Sequence, residues 1–397
     1  MCSSASKTNH PEVSQKRKDI QVIRGWAITV VILFHFFPSQ FPNGYIGVDA
    51  FFVISGFLVA MILRKNDHLC ASSVGIFYYK RMKRILPSYY LTLCSILTST
   101  VLFLPLPYQQ INMDSSRKAV LLISNFITND DEQHYQKMLL GAEDLFVHTW
   151  SLCLEMQWYL IISAIFVIQR LTTSWEKTFL AGIAGCSIVL YLKVDNTTAF
   201  YSVFPRLWQF LCGLAAFLAH DKTVRALVSS DYRLRNCSSA GLRLQVLENI
   251  GKSYKMELKR NTPWELLRTN LIKETPLLGG DALAYLGDIS YALYLFHWPV
   301  YVIVKPHSLE QPLVLFFGVL ASTTLAIATH HGFESRYLKW SPPAISLTVA
   351  LLLVTSSALS YHLHSQDDSP RQFGPGPVNY SSINISDAAW NFSELFK

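Results

Sequence analysis

Nine runs of apolar residues divide the chain: Ile20 to Phe37, Tyr45 to Leu63, Ile85 to Leu104, Thr149 to Ile168, Phe179 to Val194, Tyr201 to Ala219, Ala282 to Val304, Leu313 to Thr329 and Pro343 to Tyr361. Each approaches the roughly 20 residues that cross a bilayer as a helix. A tenth stretch, Ala119 to Ile127, is too short to cross and reads as re-entrant or interfacial. The pattern predicts an all-α fold, a polytopic transmembrane helix bundle of about nine spans.

Composition strengthens that reading. Of 397 residues 51% are hydrophobic and only 15% charged, against about 25% charged in soluble domains. The net charge of +7 comes from basic residues clustered between the apolar runs, a positive-inside bias and no nucleic-acid surface. Seven cysteines show no CxxC or Cys/His spacing, so no metal site and no disulfide framework are expected. The polar stretch Met1 to Asp19 ends in Lys16-Arg17-Lys18 and is no signal peptide, which needs an early apolar stretch and a small-residue cleavage site.

Placing residues 1–19 in the cytosol puts Arg64 to Arg84, Arg170 to Lys177, His220 to Asp281 and His330 to Ser341 inside. The loop His220 to Asp281 carries eleven Lys/Arg against seven Asp/Glu. Nine spans then leave the tail, residues 362–397, outside. Three N-glycosylation acceptors, Asn379-Tyr-Ser, Asn384-Ile-Ser and Asn391-Phe-Ser, cluster in that tail, and Asn196-Thr-Thr falls in another outside loop. Asn236-Cys-Ser lies inside on this scheme and should stay unmodified. The expected organisation is a cytosolic tail (1–19), a membrane domain (20–361) with a polar cytosolic loop at 221–281, and a glycosylatable lumenal or extracellular tail (362–397).

Several ionisable residues fall inside or beside the spans. Arg24 and His35 are eleven residues apart, which on an α-helix is three turns plus roughly 20°, so they share a face about 16 Å apart. An ionisable group in a span is costly unless it faces a bundle interior, so the pair marks a functional site, with snorkelling to the two interfaces as the bland alternative. Asp49 opens the second run at the level of His35 and either orients that imidazole or caps its helix. Arg81 and Arg84 are three apart beside Lys80 and Lys83, a geometry suited to bidentate phosphate contact if not merely a membrane anchor. His148, Ser151 and Glu155 follow at i, i+3 and i+7 on one face. Glu155 needs a partner that Arg24 or His35 can supply, and structural pairing competes with direct catalysis. Ser290, Tyr294, His297 and Tyr301 form a polar and aromatic stripe that lines a cavity or another helix. His297 is read either as an interhelical hydrogen-bonding residue or as a substrate contact.

Six ordered blocks carry a family resemblance. They are Arg24-x10-His35, the run from Gly44 to Phe57, Arg81-x-x-Arg84, the run from His148 to Tyr159, Arg206-Leu-Trp-Gln-Phe-Leu-Cys-Gly213, and Ser290-Tyr-Ala-Leu-Tyr-Leu-Phe-His-Trp-Pro299. Between about residue 18 and residue 340 the chain resembles the animal branch of the acyltransferase 3 group of integral-membrane O-acyltransferases. The resemblance implies transfer of an acyl group, commonly acetyl, from a cytosolic acyl-CoA-type donor to a hydroxyl of a carbohydrate or lipid acceptor across the membrane. By the same resemblance, Arg81 and Arg84 bind donor phosphates, Arg24 positions the acyl group and His35 activates the acceptor hydroxyl. Acyl-CoA is then a co-substrate, and no cofactor or metal is bound.

Three departures from the family pattern stand out. Gln209 replaces a usual Glu, and 221–281 is polar where the family norm adds two spans. Many relatives also continue into a lumenal esterase-like domain with Gly-Asp-Ser, a motif missing from His362 to Lys397, so that module is expected to be absent. The catalytic set expected is His35, Arg24 and Glu155, the donor set Arg81 and Arg84, and the substrate contacts Asp49, His148, Ser151, Tyr294 and His297. Competing readings are a catalytically inactive relative that carries lipid or a small hydrophobic molecule, and a scaffold binding partners through 221–281.

Overall fold

The computed structural model describes residues 17–64, 71–103, 106–126, 144–171, 176–235, 280–308 and 313–365. Among these residues every regular element is a helix. They are α1 (Lys18–Phe36), α2 (Ile46–Arg64), α3 (Ala71–Phe103), α4 (Leu106–Val120), α5 (Trp150–Leu171), α6 (Glu176–Lys193), α7 (Asn196–Tyr201), α8 (Val203–Arg235), α9 (Gly280–Ser308), α10 (Leu313–Thr329) and α11 (Pro342–Ser365), with short helical turns at Val147–Thr149, His330–Glu334 and Ser335–Tyr337. Each of the nine apolar runs falls on a helix to within about two residues. Lys18–Phe36, Val74–Phe103, Leu313–Tyr337 and Pro342–Ser365 are long and apolar enough to cross a membrane, and Ile46–Ile62, Thr178–Lys193 and Val203–Ala219 are shorter apolar helices. The molecule is an all-α membrane bundle. The sequons at Asn236, Asn379, Asn384 and Asn391 lie outside the described residues.

Two apolar cores hold it together. One gathers Ile28, Val31 and Phe36 of α1 with Tyr89 and Leu97 of α3 and Leu293 and Trp298 of α9. The other joins Phe52 and Val59 of α2 to Trp158 and Ile162 of α5 and Phe210 and Leu214 of α8, with the Trp158 ring stacked on Phe210 at 4.6 Å. Membrane helices gain little from water exclusion among themselves, so close backbone packing matters more. Two glycine crossings supply it. A Cβ on Gly25 would strike the Leu283 carbonyl and one on Gly287 the Gln21 carbonyl, which fixes α1 against α9. Gly56 and Gly213 do the same between α2 and α8, against the carbonyls of Phe210 and Val53.

Two local features depart from the sequence reading. Ala119 to Phe126 is not a separate helix, and Ile127 lies outside the described residues. Ala119 and Val120 end α4, a helix too polar to register as a span, and Leu122 adopts φ 58° in the turn that follows. Helix α4 belongs inside because Ser116 bonds Ser360 of α11 at 2.7 Å and the Asn112 side chain accepts the Leu145 N–H at 2.8 Å. The predicted loop at 221–281 is also shorter than expected, since α8 runs on through Arg235 and α9 begins at Gly280.

Candidate functional site

Arg81 and Arg84 sit well inside α3, which begins at Ala71, and not in a loop or at a helix start as the spacing predicts. Pro87 lies in the same helix. It has no N–H to donate, and its ring displaces the carbonyl four residues back, so the turns around it lose regular bonding. Tyrosines fill in. The Tyr337 hydroxyl donates to the Arg84 carbonyl at 3.0 Å and the Tyr291 hydroxyl to the Ile85 carbonyl at 2.9 Å. Tyr337 follows a π turn at His330–Glu334, where the buried Glu334 pairs with His330 at 3.0 Å.

This arrangement brings Arg81, Arg84 and Arg24 to one cavity, lined also by Ser55 of α2, Ser151 and Glu155 of α5, and Ser290, Tyr291 and Tyr294 of α9. Three guanidinium groups thus face a single carboxylate, Glu155. That carboxylate is not ion-paired to Arg24 or His35, as the sequence reading expected. One of its oxygens accepts short hydrogen bonds from the Ser55 and Tyr159 hydroxyls instead. Glu155 acts on Arg24 only through space, as do Glu334, Arg81 and Arg84. Arg81 is 8% exposed and stacks on Tyr159 at 5.3 Å. Its Nε and Nη2, like Nε of Arg24, are buried with no hydrogen-bond partner.

A second cavity follows along α1 at the level of His35. It is lined by His35, Asp49, His148, Arg206, Trp298 and several aromatic rings, and shares Val48 and Tyr294 with the first. Asp49 neither orients His35 nor serves as a simple cap. Its carboxylate takes Nη1 of Arg206 at 2.7 Å, because Arg206 is 4% exposed and a buried cation needs a counter-charge. Arg206 also donates to the Gln209 side chain at 3.3 Å and packs over Phe200 at 4.6 Å. Gln209 thus adds an amide oxygen to an arginine whose charge Asp49 already balances.

His297 is what orients His35. Its Nδ1 lies 2.7 Å from the Tyr294 carbonyl, and its Nε2 lies 3.3 Å from Nδ1 of His35. A carbonyl only accepts, so Nδ1 of His297 carries the hydrogen and, in the neutral ring, Nε2 offers a lone pair. His35 then donates through Nδ1, which leaves its own Nε2 unprotonated. That is the form of a base. Rings of Phe34 at 5.1 Å and Trp298 at 4.9 Å hold the imidazole on its flanks.

His148 lies not on the spanning helix but on the 3-10 turn Val147–Thr149 before it. The Tyr294 hydroxyl donates to the His148 carbonyl at 2.9 Å and so accepts from Ser151 at 2.6 Å. Tyr301 contributes to the stripe through ring contacts, 5.2 Å from Phe36. The predicted site residues other than His297 therefore line two adjoining cavities, while His297 is fully buried behind His35 and lines neither. Ser55, Tyr159, Arg206 and Glu334 belong to the same surroundings; Ser55 and Arg206 meet partners on other helices, Glu155 and Asp49, which local spacing does not show, while Tyr159 and Glu334 pair with Glu155 and His330 four residues away.

The chain is similar to known proteins over most of its length. A family model described as an acyltransferase domain matches residues 17–229. BcsY of Komagataeibacter xylinus, whose name describes a membrane-bound transacylase, is 27% identical over 304 residues, 73% of this chain and 74% of that protein. The O-acetyltransferase OatA of Staphylococcus aureus is 23% identical over 323 residues, 75% of this chain. This chain spans about half of OatA's length, 53%. No solved structure matches. With the family model covering more than half of its residues, this chain belongs to the acyltransferase 3 family of membrane acyltransferases.

Proposed function

We propose that this protein moves an acyl group from a cytosolic acyl-CoA-type donor to a hydroxyl of a carbohydrate or lipid acceptor. The observation that carries the reading is the imbalance in the first cavity. Three arginines line it with one carboxylate, a second, Glu334, lying behind them, and buried guanidinium nitrogens of Arg24 and Arg81 have no partner. Buried donors are normally satisfied, so such a set is built for an anion. The phosphates of a coenzyme A thioester supply one.

The second cavity supplies the other reactant. His35 presents Nε2 as the base, held in that tautomer by His297. The acceptor hydroxyl gives its proton to His35 as its oxygen attacks the thioester carbonyl, and the thiolate leaves with that proton. Tyr294, common to both cavities, stands where the acyl carbon passes from donor to acceptor.

The test uses the purified protein in liposomes with acetyl-CoA labelled in the acetyl group. Label appearing in a hydroxyl-bearing glycolipid or oligosaccharide, dependent on the protein, is the expected result. Donor binding without any transfer would point instead to an inactive carrier of small hydrophobic cargo.

A further inference from the structure

His148 stands out among the buried polar residues. Its turn is fastened from several sides. Leu145 N–H bonds the Asn112 side chain at 2.8 Å, Phe146 N–H bonds Asp144 at 2.7 Å, Thr149 N–H bonds the Phe146 carbonyl at 2.9 Å, and Tyr294 holds the His148 carbonyl. The Trp298 indole N–H adds a bond to the Asp144 carbonyl at 2.8 Å. Yet the His148 side chain, 3% exposed, has no hydrogen-bond partner on either ring nitrogen. It lines the second cavity with His35. Its ring centroid lies 6.1 Å from that of His297, which in turn is 5.1 Å from His35.

So many bonds fixing a backbone, beside a side chain left without any, is the layout of a group kept for a ligand. The base position is already filled. His35 is oriented by the His297 side chain, whereas the His148 ring has only the backbone carbonyls of Leu145 and Leu295 near it and meets neither in a well-formed hydrogen bond. Of the other donors that line the second cavity, the buried cation Arg206 is engaged by Asp49, Gln209 and the Phe200 carbonyl, and the Tyr45 hydroxyl sits on an exposed side chain at the edge.

We infer that His148 is a catalytic residue that donates a hydrogen bond to the oxyanion formed when the acceptor attacks the acyl carbon; this rests on the acyl-transfer reading above. In that step the acceptor O–H proton passes to Nε2 of His35, the C–O bond forms, and the carbonyl π electrons move to oxygen. The His148 N–H holds that oxygen while the charge lasts. The carbonyl then re-forms, the C–S bond breaks, and the thiolate takes the electron pair and the proton from His35, giving an ester and a free thiol. A donor aimed at charge present only in the transition state raises kcat and leaves ground-state binding alone.

The experiment measures steady-state acetyl transfer from acetyl-CoA by the full chain in liposomes, for the parent, His148→Phe and His148→Gln. Phe keeps a ring of similar size without a donor, and Gln restores an N–H. His148→Phe should lose about 10²–10³-fold in kcat with donor KM within about threefold, and His148→Gln should recover at least about a tenth of the parent rate. Thermal melting checks that each variant is folded, and His148→Leu replaces His148→Phe if the latter does not purify. A donor-free variant that keeps the parent kcat, or a His148→Gln no better than His148→Phe, overturns the inference. A parent that binds acetyl-CoA but transfers nothing overturns the acyl-transfer reading itself, and this inference with it.

Discussion

At the residue scale, the pairing of His35 with His297 decides what each can do. The two are 262 positions apart in sequence, so no spacing rule joins them, and the sequence reading offered Asp49 either as the residue that orients His35 or as a helix cap. His35→Gln keeps hydrogen-bonding capacity but cannot take a proton at neutral pH, so transfer should fall by about 10²–10⁴-fold with donor affinity unchanged. His297→Gln leaves the base in place but removes the ring that fixes its tautomer. A loss of about 10²-fold in kcat at constant donor KM is expected, and full activity in His297→Gln would show that His35 needs no orienting partner. Arginine geometry is tested in the same assay. An ammonium cannot reproduce the planar fork, so Arg84→Lys should weaken coenzyme A binding by about tenfold although charge is kept. Equal affinity, measured by titration calorimetry, would favour a membrane anchor.

At the scale of elements, the apolar runs were legible because span length and hydropathy are local properties. Helix α4 was not, since its sequence is polar and its place in the bundle depends on bonds from Ser116 and Asn112 to distant partners. The position of Arg81 and Arg84 inside α3 was also hidden, because the basic residues around them read as a loop between spans. The glycines on α1, α2, α8 and α9 were visible only as small residues; that they meet pairwise emerges from the packing. Their role predicts a contrast. Gly287→Ala and Gly56→Ala push a methyl group into a backbone carbonyl and should destabilise by about 1–3 kcal/mol. Gly182→Ala and Gly185→Ala on α6 meet nothing within 4 Å and should melt at the parent temperature. Detergent-solubilised protein followed by fluorescence during heating separates the two groups, and equal melting of all four would remove the crossings as determinants of stability.

At the scale of the whole molecule, the outward faces of α10 and α11 carry Phe316, Phe317, Leu320, Leu351 and Val354, each more than half exposed, a surface suited to lipid and not to water. The orientation we propose within that lipid rests on the basic loops and the acceptor sequons taken together. Basic loops favour the cytosol, and acceptor sequons are used only in a secretory lumen. Asn196 is exposed at the start of α7, where the adjacent Asp195 caps the helix through the Thr198 N–H at 2.8 Å and has its carboxyl held below the usual range by that bond. We propose that residues 1–19 lie inside and that an odd number of crossings sets residues 362–397 outside, an arrangement that would bring Asn379, Asn384 and Asn391 to the glycosylation machinery. Glycosidase treatment of protein made in a eukaryotic secretory system should therefore increase its gel mobility. Replacing those three asparagines by Gln together should remove most of that shift, while Asn236→Gln should change nothing. A tail cleaved by protease from the cytosolic face, and carrying no glycan, would reverse the orientation and move His35 to the donor side of the membrane, which the assignment of Arg81 and Arg84 to a cytosolic donor does not survive.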